Sequence, residues 1–423
     1  MRNISVFRTI LIILISLLVG YYVGINKISL DWKNYKPSLS VVNKEPPRLV
    51  NSDFSVFWKS WELLEENFYD KSKLDPQKMI NGAVSGMVQS LGDPYTIYLP
   101  PAQNSDFKQN LSGQFSGIGA ELGIRDSQII VISPLEGSPA KRAGIKPQDA
   151  ILKVDEDSTE NWTISQAVER IRGQTGTEVI LTVLHEGDKE PLEIKITRDV
   201  ITVKSVEGSI KQISGQNSKL RIVEEDERCD GCPKIAYIRL SQFGDQTNKE
   251  WTGLISSLNS QIKDKNVRGL VLDLRNNPGG YLSDAVFIAS EFLEEGKDVV
   301  AEDNGQGDTK TISVTRKGLL PDVPIVILIN KGSASASEIV AGAIRDNDRG
   351  ILVGETSFGK GTIQRADDLG GGAGIHITIA KWLTPKGTWV NDSGLEPDVV
   401  IKPDEKDLSR DVQLEKAVEE LIK

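Results

Sequence analysis

The stretch VILINKGSASASEIVAGAIRD, residues 326–346, joins an apolar run to a helical pattern through a turn in which serine alternates with alanine. A strand without polar alternation is buried on both faces, which points to a parallel sheet covered by helices. The surrounding chain repeats the pattern. KIAYIRL (234–240), GLVLDLR (269–275), VPIVILIN (323–330) and GILVGE (350–355) read as strands. TGLISSLNSQIK (252–263), SDAVFIASEFL (283–293) and EIVAGAIRD (338–346) read as the helices between them. Strands alternating with helices predict a layered α/β core with a substantially parallel sheet.

Within the turn, three serines compete for one chemical role. Ser337, followed by Glu338 and the apolar pair Ile339 and Val340, has the pattern of a helix N-cap. Ser333 follows Gly332 and reads as a turn residue, which leaves Ser335 without a structural duty. A serine at a helix N-terminus sits among unpaired N–H groups that stabilise developing negative charge. Its hydroxyl still needs a base, and the chain has only two histidines, His185 and His376. Each lies in a β-like run without a catalytic setting, so a Ser-His-Asp triad fits poorly. A lysine whose pKa is lowered by burial can serve instead. Lys360 in TSFGKGTIQ stands out, because it lies between two glycines beside Phe358 rather than on a solvated helix face. The GxxxxGK[ST] spacing of a phosphate-binding loop is missing there.

Residues from about Phe115 to Val200 change to short β-like runs with one helical pattern, and they resemble a PDZ domain. SGIGAEL (116–122) is similar to the carboxylate-binding loop and edge strand, GSPAKRAGI (137–145) to the turn and first short helix, and TISQAVERIRG (163–173) to the groove helix. Backbone N–H groups around Gly117, Ile118, Gly119 and Ala120 can form a nest for a terminal carboxylate, and an edge strand can pair with an extended peptide.

From Phe54 to about Val400 the chain resembles the carboxy-terminal processing (tail-specific) proteases. The resemblance rests on LGDPYTIYLPP, SGIGAEL, LDLRNNPGG, GSASASEIVAGAI, VGETSFGKGTIQ and LTPKGTWVNDSGLEPDV, which occur in the family's order. It implies a multidomain α/β protein: an N-terminal helical segment, a PDZ domain and a protease core of the crotonase/Clp-protease-like type. It further implies Ser335 as nucleophile, Lys360 as general base 25 residues on, and Gln364 as the residue that orients the lysine. On a straight strand, four residues span about 13 Å, so Gln364 reaches Lys360 only where the chain bends. The oxyanion hole implied is the N–H of Ala336 with that of Gly280, preferred over Gly279. No metal or other cofactor is required. A PDZ scaffold or holdase that binds C-terminal tails without cleaving them is the alternative of a different class.

At the N-terminus, Arg2 and Arg8 precede a charge-free apolar run from Ile10 to Ile25. The run is near the short limit of a membrane span, and no small-x-small cleavage site follows, which favours an uncleaved anchor over a removed signal peptide. The flanking positive charges keep that end in the cytoplasm and place the remainder outside, on the periplasmic or extracellular side. The expected organisation is anchor 1–27, linker 28–50, helical segment 51–112, PDZ domain 113–200, peptidase core 201–402 and C-terminal helix 403–423. In the helical segment, an aromatic stripe at Phe54, Phe57, Trp58, Trp61, Leu64 and Phe68 predicts a core-facing helix, and a second helix is expected over Asp75 to Leu91. The C-terminal helix, DVQLEKAVEELIK, has the amphipathic pattern of an interaction element.

Net charge of −10 and a pI near 5.1 exclude general affinity for nucleic acid. Cys229 and Cys232, the only cysteines, predict a local disulfide rather than a complete zinc site. The expected partners are substrates with free C-termini and the membrane, and the reading accommodates a homo-oligomer or an activating partner protein.

Overall fold

The computed structural model describes residues 12, 14–17, 28–33, 36–41, 53–125, 127–135, 137–216, 219–224, 232–264, 266–314, 316–404, 407 and 410–423. Most of the apolar run from Ile10 to Ile25 lies outside them, as does Cys229. Cys232 is disulfide-bonded. Among the described residues no helix is long and apolar enough to cross a membrane.

The chain divides into two units, residues 1–79 and 80–423. The first holds a hairpin of β1 (Ile28–Lys33) and β2 (Lys36–Val41), then α1 (Ser55–Asn67). Helix α2 (Pro76–Gln89) follows, with Asp75 accepting the N–H groups of Gln77 and Lys78 as an N-cap does. Helix α1 corrects one expectation, because it buries no residue: Phe54 is 53% and Trp58 58% exposed. Its rings pack on one another instead, with Phe57 and Trp58 edge to face at 4.9 Å.

In the second unit, β3 (Ile97–Leu99) and α3 (Pro101–Leu111) lead into the PDZ segment. That segment comprises β4 (Gln114–Gly117), β5 (Ala120–Arg125), β6 (Gln128–Pro134), α4 (Pro139–Arg142), β7 (Ala150–Val154), β8 (Asp157–Ser158), α5 (Ile164–Ile171), β9 (Glu178–Leu184), β10 (Leu192–Thr197) and β11 (Asp199–Thr202). Its sheet runs β10-β9-β7-β6-β5, so β5 is an edge strand, and α5 packs beside it. Thr163 and Gln166 close a reciprocal capping box at the start of α5. Ile129, Val131, Ile151, Leu181, Ala167 and Ile171 fill a core of its own. The segment enters and leaves the rest of the unit through β4 and β11, which pair antiparallel.

The C-terminal part of the unit adds β12 (Val206–Gln216), β13 (Lys219–Glu224), β14 (Lys234–Leu240), α6 (Thr247–Ile262), β15 (Val267–Asp273), α7 (Leu282–Ala289), β16 (Asp298–Asp303), β17 (Thr309–Ser313), β18 (Ile325–Ile329), α8 (Ala336–Asp346), β19 (Gly350–Gly354), β20 (Thr362–Gly370), β21 (Ala373–Leu383), β22 (Val399–Val400) and α9 (Val412–Ile422). The main sheet runs β13-β12-β14-β15-β18-β19-β22, parallel from β14 onward. The apolar run of β18 has the predicted cause. Ile325, Ile327 and Ile329 face the layer of α6, α7 and α8, whereas Val326 and Leu328 face α9.

Strand β3 pairs with β21 in a second sheet, β17-β16-β21-β20, which joins Ile97–Leu99 to the C-terminal part of this unit. One expectation about the end of the chain changes. Helix α9 is core rather than a free interaction element: Leu414, Ala417 and Val418 pack on Val271, Val326, Leu328 and Val353. Asp411 caps it through the Leu414 N–H, and Arg275 bridges Asp411 to Asp273 at the end of β15. Truncating the buried Leu414 to Ala should cost about 2 to 3 kcal/mol, read as a fall of a few degrees in the thermal unfolding midpoint. A wild-type midpoint would contradict the packed role of α9.

Candidate active site

Three neighbouring parallel strands, β15, β18 and β19, send their C-terminal ends toward one place, where open α/β sheets hold their ligands. Beyond β15 comes the Asn276–Gly280 turn, beyond β18 the serine turn, and beyond β19 the Lys360 loop. Ser335, Ala336, Gly279, Gly280, Lys360 and Gln364 line a single cavity of about 650 Å³. Ile97, Phe107, Ile339, Ile363 and Trp382 supply much of its apolar wall.

The serine turn is braced by the two serines that do not occupy its tip. Ser333 Oγ donates to the Leu274 carbonyl at 2.8 Å and accepts the Asn330 N–H at 3.0 Å. Ser337 is not the N-cap expected of it. Helix α8 begins two residues earlier than that cap would set, at Ala336, and Ser337 Oγ donates to the Asn277 carbonyl at 2.9 Å. Ser335 occupies the N-cap position with φ of 54°, a left-handed conformation that is strained for a residue with a Cβ. Among the described residues, nothing accepts the N–H of Ala336 or of Gly280.

Opposite, Asn277 shapes the glycine turn by accepting the Gly279 N–H at 2.9 Å, while its amide donates to the Leu240 carbonyl at 2.7 Å. Gly279 thus has its N–H engaged, whereas that of Gly280 has no acceptor among the described residues. A Cβ on Gly279 would lie 2.9 Å from Ser335 Cβ and 3.0 Å from the Ala336 nitrogen. Nothing larger than glycine fits there.

Glu338, fully buried, ties the serine turn to the lysine loop. Its carboxylate accepts the N–H of Ser335 at 2.8 Å and of Lys360 at 2.9 Å, and both the Gly359 N–H and the Ser357 hydroxyl at 2.6 Å. Sequence reasoning used Glu338 only as a helix-start signal for Ser337. The S-x-x-E spacing from Ser335 was the available clue.

Lys360 is held by its backbone, with Trp382 Nε1 donating to its carbonyl at 2.9 Å. Burial pushes its ammonium pKa below the ordinary lysine value, against the opposing charges of Asp93 and Glu338. Nζ lies 5.1 Å from the centre of the Tyr95 ring, and no hydrogen bond joins it to Ser335. Lys360 lies ahead of β20, which begins at Thr362, and the pairing of β20 with β21 shifts register between Ile363 and Gln364, with Ile379 of β21 the extra residue. Gln364 donates to Thr362 at 2.8 Å and Thr378 at 3.1 Å.

The histidines separate. His185 bonds Asp149 at 2.6 Å within the PDZ segment. His376 lines the cavity, edge-on to Phe107 at 4.4 Å, its pKa lowered by burial and by Lys360. It makes no hydrogen bond to Ser335 or to a carboxylate among the described residues, so no triad is assembled around it.

In the PDZ segment, Gly117 closes β4, Ile118 is buried, and Ala120 opens the edge strand β5. Gly119 has φ of 72°, and a Cβ there would meet Ser138 Cβ at 2.6 Å. The loop and the edge strand are therefore adjacent, as the sequence predicts.

The chain matches the model of peptidase family S41 over residues 234–401, a PDZ domain over 106–184 and the N-terminal domain of the activating protease CtpB over 15–101. It is 34% identical to the carboxy-terminal processing protease CtpB of Bacillus subtilis (strain 168), over 90% of this chain and 74% of that one. The chain belongs to peptidase family S41. It is 38% identical to the carboxy-terminal-processing protease of Bartonella bacilliformis, over 78% of this chain and 70% of that one. Among solved structures, the photosystem II D1 C-terminal processing protease matches with a TM-score of 0.50 and 27% identity, over 85% of this chain and 96% of that chain. This S41 protein is a serine-type C-terminal processing peptidase with a PDZ domain. Placing a methyl group on its glycine turn by Gly279→Ala should lower kcat about a hundredfold with the far-UV circular dichroism unchanged. Wild-type turnover would show that the turn does not bear on the reaction.

Proposed function

We propose that this peptidase cleaves exported proteins, recognised by their C-terminal tails, through a Ser335–Lys360 mechanism. The observation that carries this reading is the convergence of Ser335, Lys360 and the unengaged N–H groups of Ala336 and Gly280 in one cavity. Neutral Lys360 accepts the Ser335 proton as Oγ attacks the scissile carbonyl. The two N–H groups receive the oxyanion of the tetrahedral intermediate, and the lysine returns the proton to the leaving amine. Water then releases the acyl group with Lys360 again as base. Gln364 orients the amine, and no metal takes part.

Because Nζ lies over Tyr95 without a bond to Ser335, the amine has to move toward the serine before reaction. A substrate that displaces water from the cavity favours the neutral amine and hence that step. The PDZ domain takes the terminal carboxylate at Gly117–Ala120 and pairs the tail with β5. The N-terminal apolar run tethers the enzyme to the membrane with its catalytic unit outside the cytoplasm, and an activating partner or a second copy is compatible with this arrangement.

Ser335→Ala and Lys360→Ala should each abolish cleavage of a peptide with a free apolar C-terminus, followed by mass spectrometry of the products; full activity in either variant would falsify the assignment. Activity should rise with pH through the Lys360 titration, because only the neutral amine is a base. Burial lowers that titration, so the rise should be complete at a lower pH than an ordinary lysine permits. Replacing residues 118–198 by a short linker keeps the β4–β11 ribbon. It should raise kcat/KM for a tailed protein if the PDZ domain shields the site and lower it if the domain delivers substrate. Unchanged kinetics would rule out both.

A further inference from the structure

The loop between α2 and β3 forms the wall of the cavity that faces the lysine. Tyr95 places its ring 5.1 Å from Lys360 Nζ. Asp93 holds this loop in shape, accepting the Tyr95 N–H at 3.0 Å and the Thr96 hydroxyl at 2.6 Å. Thr96 Oγ1 accepts the Thr378 N–H at 3.0 Å, which fastens the loop to β21.

Gln364 Nε2 donates to Thr378 Oγ1, on the residue that Asp93 fastens through Thr96. Burial pushes the Asp93 carboxyl up, but the hydroxyl and backbone groups around it outweigh burial and hold it below the usual carboxylate range. The second Gln364 hydrogen goes to Thr362. Both donors of the carboxamide are thereby engaged, and its oxygen is the atom left for the cavity and the lysine.

We propose that Asp93 is a positioning residue of the peptidase: through Thr96 it fastens Thr378, which receives the Gln364 amide, and through its own loop it sets the Tyr95 ring against Lys360 Nζ. This rests on the Ser335–Lys360 reading. Asp93 also contributes charge. The ionisable groups around Lys360 are Asp93 and Tyr95 from the loop, Glu338 from α8 and His376 from β21, and Asp93 is the stronger of the two carboxylates that favour the ammonium.

The test is the pH dependence of kcat and KM for cleavage of a fluorescence-quenched peptide with a free apolar C-terminus, by full-length wild-type, Thr378→Val, Thr378→Ser and Asp93→Asn proteins. Thr378→Val should lower kcat roughly ten- to a hundredfold, leave KM within about twofold and leave the acid limb of the profile in place; Thr378→Ser, which restores the hydroxyl, should recover turnover. Asp93→Asn should lower kcat and move the acid limb to lower pH, since a lysine without its counter-charge loses its proton more easily. Wild-type kcat in Thr378→Val, or an unmoved acid limb in a folded Asp93→Asn, would overturn the proposal. If Asp93→Asn does not fold, the Thr378 pair decides. Failure of the underlying reading looks different: Lys360→Ala would then cleave the same peptide at the wild-type rate.

Discussion

A single buried carboxylate holds the two halves of this site in register. Glu338 is inaccessible to solvent and accepts four hydrogen bonds, two from the serine side chain and backbone of the Ser357–Gly359 segment and two from the backbones of Ser335 and Lys360. An ionised group in such a place is stable only while its acceptor sites are filled. The two loops are therefore bound to the same point, and the strained backbone at Ser335 is held by contacts on either side of it. The parallel sheet brings the loops near one another, and Glu338 determines how they meet.

Much of the remaining geometry is made by backbone groups and by side chains that bond backbone. Asn277 shapes the glycine turn, Ser333 and Ser337 attach the serine turn to it, and Trp382 fixes the lysine carbonyl. The groups proposed to react thus sit on segments with little freedom to relax, which suits chemistry that is sensitive to displacements near 1 Å. Lys360 Nζ rests against the Tyr95 ring.

Local pattern carried the core strands and helices, because burial on two faces leaves apolar runs that no turn or exposed helix imitates. It also separated Ser335 from its neighbours, although for an incomplete reason: Ser337 braces the turn rather than capping the helix. Other features depend on contacts distant in sequence. The pairing of β3 with β21, the seating of Phe107 on His376 and the bridge from Arg275 to Asp411 leave no periodicity to detect. Amphipathic pattern predicts that a face will be covered and does not say by what. Hence α9, read as an interaction element, is core, and α1, read as core, is exposed.

Strand β3 has one more consequence, which concerns the order of synthesis. It leaves the ribosome early, with Tyr95 just ahead of it, yet its partner residues Gly374–His376 come near the end of the chain. Pairing so remote in sequence waits until the intervening segments have folded. The cavity therefore gains its last wall after the PDZ domain and most of the main sheet are in place, and a nascent or truncated chain carries Ser335 and Lys360 without the enclosure around them.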